Sequence, residues 1–267
     1  RRYGAEGRLV MEYVFRYSSS RRLFWGLGYS NACDDSRRGS FTGRRFAARA
    51  DFLYRKRESL LAGGFVGYDY YRALDFSDSE AVSGLPDVTG YMTVGARFDL
   101  DTRDDATAPS HGVMFRIEPS ISIPLMEMHT FFRIRTLLDL YFPLWKGGVA
   151  AVDLYGDIST EASPWTMWPE SGGDVRLRGY YKGRYRDRNM LSVQVELRQK
   201  IYRSHGVAVW AGAGNVFPSF GNFEIKNTLP TYGAGYRFSF LGMVLRLDAG
   251  FGLPGQWALI AGVSHSF

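Results

Sequence analysis

Arg178-Gly179-Tyr180 is a triplet whose residue types suit fastening one segment to another. A guanidinium presents a planar fork of donors that matches a carboxylate. A glycine beside it permits a tight backbone turn. A tyrosine packs its ring and hydrogen-bonds through its hydroxyl. The triplet follows Leu177 and precedes Arg186-Asp187, within a long stretch at about 160–187 that also holds Gly172-Gly173. Taken alone, such a triplet reads as an ordinary polar loop.

Other chemistry-bearing residues carry less. Nucleophilic hydrolysis needs a His, a Ser and an orienting polar group converging on one surface. Of His111, His129, His205 and His265, only His265, beside Ser264 and Ser266, comes near this. Read as part of the last strand, it points away from both serines. No catalytic residue and no cofactor is expected. Asp99, Asp101, Asp104 and Asp105 offer oxygens for calcium, but Arg103 and Pro109 argue for a solvated turn. There is no zinc spacing, and the single Cys33 allows no internal disulfide. Gly212, Gly214, Gly233 and Gly235 lie in extended segments with no helix after them, so they are not a nucleotide loop. Such glycines allow bends or the close approach of an inserted loop.

The 33 basic residues are 28 Arg and 5 Lys. That bias favours bidentate ion pairs or anionic headgroups over solvated charge. Arg37, Arg38, Arg44, Arg45, Arg184, Arg186 and Arg188 fall at connections. They suit either the phosphates of an outer-leaflet glycolipid or the chain's own acids. Although the sequence pI is near 9.4, the arginines are spread along the chain rather than grouped. No nucleic-acid partner is expected.

The elements that must position these residues are strands. Leu9, Met11, Tyr13, Phe15 and Tyr17 alternate with Arg8, Glu12 and Arg16; Val193, Val195, Leu197 and Ile201 alternate with Gln194, Glu196, Arg198 and Lys200. Thirteen segments of this kind are read, at about 7–17, 23–33, 44–56, 58–72, 89–101, 112–125, 130–145, 148–159, 188–203, 206–217, 230–240, 242–252 and 255–267. Most run longer than the five or six residues usual in soluble sheets. A strand of about eleven residues, tilted about 40°, crosses the hydrocarbon band. Aromatic content of 16%, 31 glycines and a mean hydropathy of −0.20 fit a barrel in which only alternate residues face lipid. No run of about 18 apolar residues provides a spanning helix. Arg1-Arg2-Tyr3-Gly4 is not a signal peptide.

The fold class is therefore all-β: one antiparallel transmembrane β-barrel domain over 1–267. Tight connections at Lys56-Arg57, Lys146-Gly147, Ser204-His205 and Leu241-Gly242 alternate with longer ones at 34–43, 73–88, 160–187 and 218–229. Long loops usually face outside and tight turns the periplasm, which places Phe267 in the periplasm. A first connection at Ser18–Arg22 makes the strand number odd and puts residue 1 outside. Single-chain barrels have even counts, so the thirteen strands read as part of a 14–16-stranded barrel.

The stretch 171–203 resembles the lid loop and following strand of the BamA/TamA-like superfamily, the bacterial surface antigen family. The residues that carry this are Leu177-Arg178-Gly179-Tyr180, Gly172-Gly173, Arg186-Asp187, the five strands that follow, the turn Asp101–Asp104 through Pro109 and Gly112, and Gly262 ahead of a terminal Phe267. The resemblance is specific over about 100–267. It implies that the loop folds into the lumen as a lid. Glu196, on the lumen face by alternation, is then the natural partner of Arg178. The family places an Asp in the next strand, where this chain has Trp210-Ala211-Gly212-Ala213-Gly214; Gly212 removes one acceptor from Arg178.

The family's first and last strands meet at a weak seam, which here would involve 255–267 with Gly255 and Gly262. The implied role is non-enzymatic: inserting or translocating proteins, or handling lipids, at a bacterial outer membrane. Outer-membrane lipids, substrate proteins and accessory outer-membrane proteins would be the partners. A passive channel or structural barrel that kept the lid is the alternative, and a barrel-surface lipid hydrolase the less favoured one.

Overall fold

The computed structural model describes residues 8–77 and 86–267, and the backbone of Arg2–Tyr3. Arg1, residues 4–7 and residues 78–85 of the expected 73–88 connection lie outside the described residues. The strands are β1 (Arg2–Tyr3), β2 (Leu9–Phe24), β3 (Gly39–Arg57), β4 (Leu60–Leu74), β5 (Val88–Asp101), β6 (Gly112–Pro124), β7 (Phe131–Trp145), β8 (Gly148–Ser159), β9 (Asn189–Tyr202), β10 (His205–Phe217), β11 (Leu229–Phe240), β12 (Met243–Phe251) and β13 (Trp257–Val263). They form one antiparallel sheet in sequence order. β1 is a two-residue pairing, so among the described residues twelve strands span the sheet.

The all-β transmembrane architecture agrees with the sequence reading, and the strand boundaries correct it in two places. Segments at 7–17 and 23–33 were expected to be separate strands. Instead β2 runs unbroken through Ser18–Arg22, pairing with β3 from Leu9↔Tyr54 to Phe24↔Gly39. Ser18-Ser19-Ser20-Arg21-Arg22 holds no Gly, Pro, Asn or Asp, the residues that most readily reverse a chain, and it stays paired to Arg45–Phe41 of β3. The chain turns instead at Gly26 and Gly28, with φ of +93° and +83°, and enters the short helix α1 (Tyr29–Cys33). Removing one strand restores an even count. β2 begins and β13 ends at the same, tight-turn end of the sheet. The last strand is also shorter than the expected 255–267. It stops at Val263, and Ser264 follows with φ +72°.

The sheet is inverted relative to a soluble protein. On β9, Leu197 is 44% exposed while Glu196 beside it is 0%. Asp51, Asp99, Asp139, Asp153, Arg198, Arg237 and Asp248 are buried; Phe15, Phe132, Val195, Leu247 and Leu259 are exposed. Water would penalise such an apolar face, whereas hydrocarbon does not. Charges crowd onto the other face and pair there. Arg97 reaches Glu12 (2.8 Å), Asp51 (3.2 Å) and Asp99 (2.7 Å), and Arg116 shares Asp99 (2.7 Å). Arg49 and Arg135 share Glu118 (2.5 and 3.2 Å). Arg49, Arg97 and Arg135 line a cavity of about 640 Å³ over β2–β7. β13 pairs with β12, and among the described residues no ladder joins it to β1 or β2.

Val195 sits near the middle of β9 on the exposed face. Val195→Arg is expected to lower folding stability in bilayers by about 2–4 kcal/mol, read from guanidinium unfolding in lipid vesicles. An unchanged midpoint would mean that this face does not meet hydrocarbon.

Candidate functional site

The loop joining β8 to β9, residues 160–188, lies on the polar face and touches strands near both edges of the sheet. At one edge, Arg22 of β2 donates to Glu170 (2.5 Å), and Trp165 packs on Phe24, Phe41 and Tyr71. Toward the other, Arg178 reaches β12. A single loop can do this only if the sheet curls around it.

The loop is braced against itself. Gly183 N–H donates to Ser171 O (2.8 Å), Ser171 N–H to Tyr185 O (3.0 Å) and Gly173 N–H to Tyr180 O (3.2 Å). Gly172, with φ +87°, lets this pairing close, since a Cβ there would stand 2.6 Å from Tyr180 O. Leu177 (φ +50°) and Gly179 (φ +116°) kink the chain on either side of Arg178 and present it to the wall.

Arg178 is fully buried. Its Nη2–H donates to Glu196 Oε2 (2.6 Å) and its Nη1–H to Asp248 Oδ2 (2.8 Å). The guanidinium lies 3.5 Å above the Trp210 ring, a cation–π contact that adds to the two charged bonds. Its carbonyl accepts from Thr231 Oγ1–H. Tyr180 O–H donates to Pro230 O (2.6 Å) and accepts from Leu253 N–H (2.8 Å). Gly179 lies against the β12 backbone, where a Cβ would come within 2.8 Å of Phe251 N and C. The motif is thus fastened to four consecutive strands, β9 through β12.

The expected Arg178–Glu196 pair is present. The expectation that Gly212 costs Arg178 an acceptor needs correction, because Asp248 supplies it from two strands away. The alternation Leu245, Arg246, Leu247, Asp248 already marks that acid as inward-facing. A Cβ at Gly212 would first strike Val193 O (2.6 Å) and Gln194 of the neighbouring strand. Gly214 does receive the loop, through Leu177 Cδ1 at 2.7 Å from a would-be Cβ. Trp210 is the platform under Arg178.

The two carboxylates are shared. Glu196 also meets Arg198 (2.8 Å) and Arg237 (3.7 Å), and Asp248 meets Arg246 (3.2 Å) and Arg237. The C-terminal residues enter the same network. Ser266 Oγ–H donates to Glu196 (3.1 Å), and Arg198 Nη2–H donates to Phe267 O (2.8 Å). Phe267 therefore turns inward after β13 rather than extending it. Gly262 makes room for Arg246, whose Nε would lie 2.8 Å from a Cβ there. Further loop anchors escaped the sequence reading. Arg176 donates twice to Asp153 (2.8 and 2.6 Å), and Glu170 binds both Arg186 and Arg22. Burial opposes charge on Glu170, but Arg186 and Arg22 outweigh it and hold its carboxyl down at about 2.

The remaining candidates fall apart as sites. Asp99 pairs with Arg97 and Arg116, Asp101 with Arg103 (2.8 Å). Asp104 accepts from Ser110 and His111 N–H, and Asp105 from Thr107 and Ala108 N–H. Among the described residues no acid or His cluster is arranged to hold a metal. His265 follows β13 rather than lying in it, 3.9 Å from Glu196. Of the connection arginines, Arg37, Arg45, Arg184, Arg186 and Arg188 pair with Asp34, Asp69, Asp35, Glu170 and Glu161.

The sequence profile of the Omp85 superfamily domain matches residues 2–254. No curated protein matches the sequence. Among solved structures, BamA from Haemophilus ducreyi lacking POTRA domains 1–3 is similar with a TM-score of 0.70 at 12% identity, over 99% of this chain and 60% of that one. CdiB from Acinetobacter baumannii is similar with a TM-score of 0.66 at 12% identity, over 96% and 47%. CdiB from Escherichia coli gives 0.62 at 14% identity, over 96% and 49%. This chain thus spans about half to three fifths of those proteins, and at such identities the likeness is one of fold.

Removing one partner from a buried pair costs about 3–5 kcal/mol. Arg178→Ala is expected toward the lower end, because both carboxylates keep other arginines. Trypsin should then cut faster at Lys182 and Arg184, and conductance should rise; if neither changes, Arg178 does not hold the loop. Glu170 gives a pH test. Its depressed pKa contributes docking stability that is full above the unfolded value of about 4.3 and lost as pH falls toward 2. Pepsin cleavage within 160–188 should rise over that window in the native chain, and Glu170→Gln should flatten the rise.

Proposed function

The chain belongs to the Omp85 superfamily, and on that premise we propose that it works in a bacterial outer membrane, inserting or translocating other proteins without enzymatic chemistry. One observation carries the reading: the buried Arg178 anchor holds loop 160–188 against β9–β12, beside a β13 whose outer edge is unpaired among the described residues. A strand edge offers a row of N–H and C=O groups to which an incoming strand can add. A plugging loop on the inward face limits leakage while that edge is engaged. The loop acts as a lid, the tight turns face the periplasm with Phe267, and the partners are unfolded membrane-protein substrates, accessory outer-membrane proteins and surrounding lipid.

The surroundings of His265 support a non-enzymatic role. Ser266 Oγ–H donates to Glu196 and Ser264 Oγ–H to the His265 carbonyl, so neither serine hydroxyl meets the imidazole. Burial, with Arg198 close by, pushes the His265 imidazole down to about 3, too weak a base for neutral pH. The passive-channel alternative drew on the acceptor lost at Gly212, and Asp248 removes that support.

Reconstituted in phospholipid vesicles, the protein should raise the folding yield of a urea-denatured outer-membrane barrel above that in protein-free vesicles, read as heat-modifiable gel mobility. Conductance with no gain in folding yield would favour the passive channel.

A further inference from the structure

On the lipid-facing side of β2, β3 and β4, two lateral rows follow one another toward the loop end. Tyr17, Phe46 and Tyr70 stand side by side in the first, through the pairings Tyr17↔Phe46 and Phe46↔Tyr70. Ser19, Arg44 and Arg72 form the next, through Ser19↔Arg44 and Arg44↔Arg72. Arg44 shares the outward parity of Phe46 and Phe52, which are exposed, and Arg72 that of Val66. The opposite parity holds Asp51 and Tyr71, which are buried. Arg21, one pleat beyond Ser19, also faces outward and donates to Ser40 Oγ (3.3 and 3.0 Å).

Arg44 thus stands directly across from Arg72. Like charges in that position destabilise a sheet, and more so beside a low-dielectric phase. Neither guanidinium has a carboxylate within 4 Å among the described residues. Their inward neighbours behave otherwise: Arg45 binds Asp69 (2.5 Å) and Arg49 binds Asp51 (2.6 Å). Two unneutralised guanidiniums match a phosphate, which accepts bidentate bonds from each. The aromatic row beneath them is what a membrane–water boundary selects. Below it the apolar band continues to Phe52 and Tyr54, both exposed. A free phosphate would use the arginines alone, whereas a lipid would use all three layers.

We propose that Arg44 and Arg72, with Arg21 alongside, bind the phosphate of a membrane-lipid headgroup whose acyl chains lie along the outer face of β2–β4. The site rests on the transmembrane fold and not on the insertion reading, so either can fail alone.

The test loads the chain, purified in a maltoside detergent, with three probes and counts bound lipid by native mass spectrometry. They are a bis-phosphorylated glycolipid, the same glycolipid stripped of its phosphates, and phosphatidylglycerol. The native chain should retain the phosphorylated glycolipid and release the stripped one. Equal retention of phosphatidylglycerol would support any headgroup phosphate, and its release would narrow the site to glycolipid. R44Q/R72Q should weaken retention of the phosphorylated glycolipid by about thirtyfold, with the strand signal in circular dichroism unchanged. Undiminished retention by R44Q/R72Q, or retention independent of phosphate, would overturn the proposal. So would displacement of the lipid by millimolar inorganic phosphate, which would make the site one for the free anion. Should R44Q/R72Q not fold, the comparison of phosphorylated and stripped glycolipid on the native chain still decides.

Discussion

Within the apolar band every second residue of each long strand is given over to hydrocarbon, and this constraint forces the charges there onto the other face. There they cannot be left unpaired, because an isolated buried ion costs far more than any single contact returns. The chain answers with arginine. A planar fork can satisfy two carboxylates at once, as Arg178 does with Glu196 and Asp248 and as Arg97 does with Glu12, Asp51 and Asp99. Lysine, a compact charge on a flexible stem, lacks the rigid fork that holds two carboxylates at fixed positions. The scarcity of lysine in the composition and the ladder of shared ion pairs inside the sheet are one fact seen at two levels.

Loop 160–188 follows from the same constraint. The inward faces of β9–β12 carry Glu196, Trp210, Gly214, Thr231, Asp248 and Gly250, a surface of acids, one flat ring and small residues. The loop closes over this surface, with Leu177 on Gly214, Gly179 on Gly250 and the Tyr180 ring on Gly252 just beyond β12. The glycines set how closely the loop approaches, and the acids set which of its residues is drawn in.

Much of this was legible in the sequence. Alternation located eleven of the twelve long strands, and the motif with its inward acid named the Arg178–Glu196 contact. Two kinds of information were not local. Ser18–Arg22 carry no apolar residue to mark them as part of β2, and the break expected there belongs instead at Gly26 and Gly28. Asp248 lies on β12, three strands from Glu196 on β9 and beyond the strand in which the family places its acid. Its parity was readable, but its distance from Arg178 depends on how far the sheet curls. The outward Arg44 likewise differs from Arg45 by a single step of parity, which decides between an internal ion pair and the lipid-facing side.

Arg237 gives the anchor a property of its own. It meets both carboxylates that receive Arg178, lying 3.7 Å from Glu196 and in direct contact with Asp248. If the loop swings away, neither acid is stranded, since Arg237 still bridges them while Arg198 and Arg246 flank the pair. The wall therefore keeps its shape as an empty socket. Undocking becomes an exchange of ligands on a pre-organised receptor rather than an unfolding event, so the return of the loop need not wait for the sheet to rebuild itself.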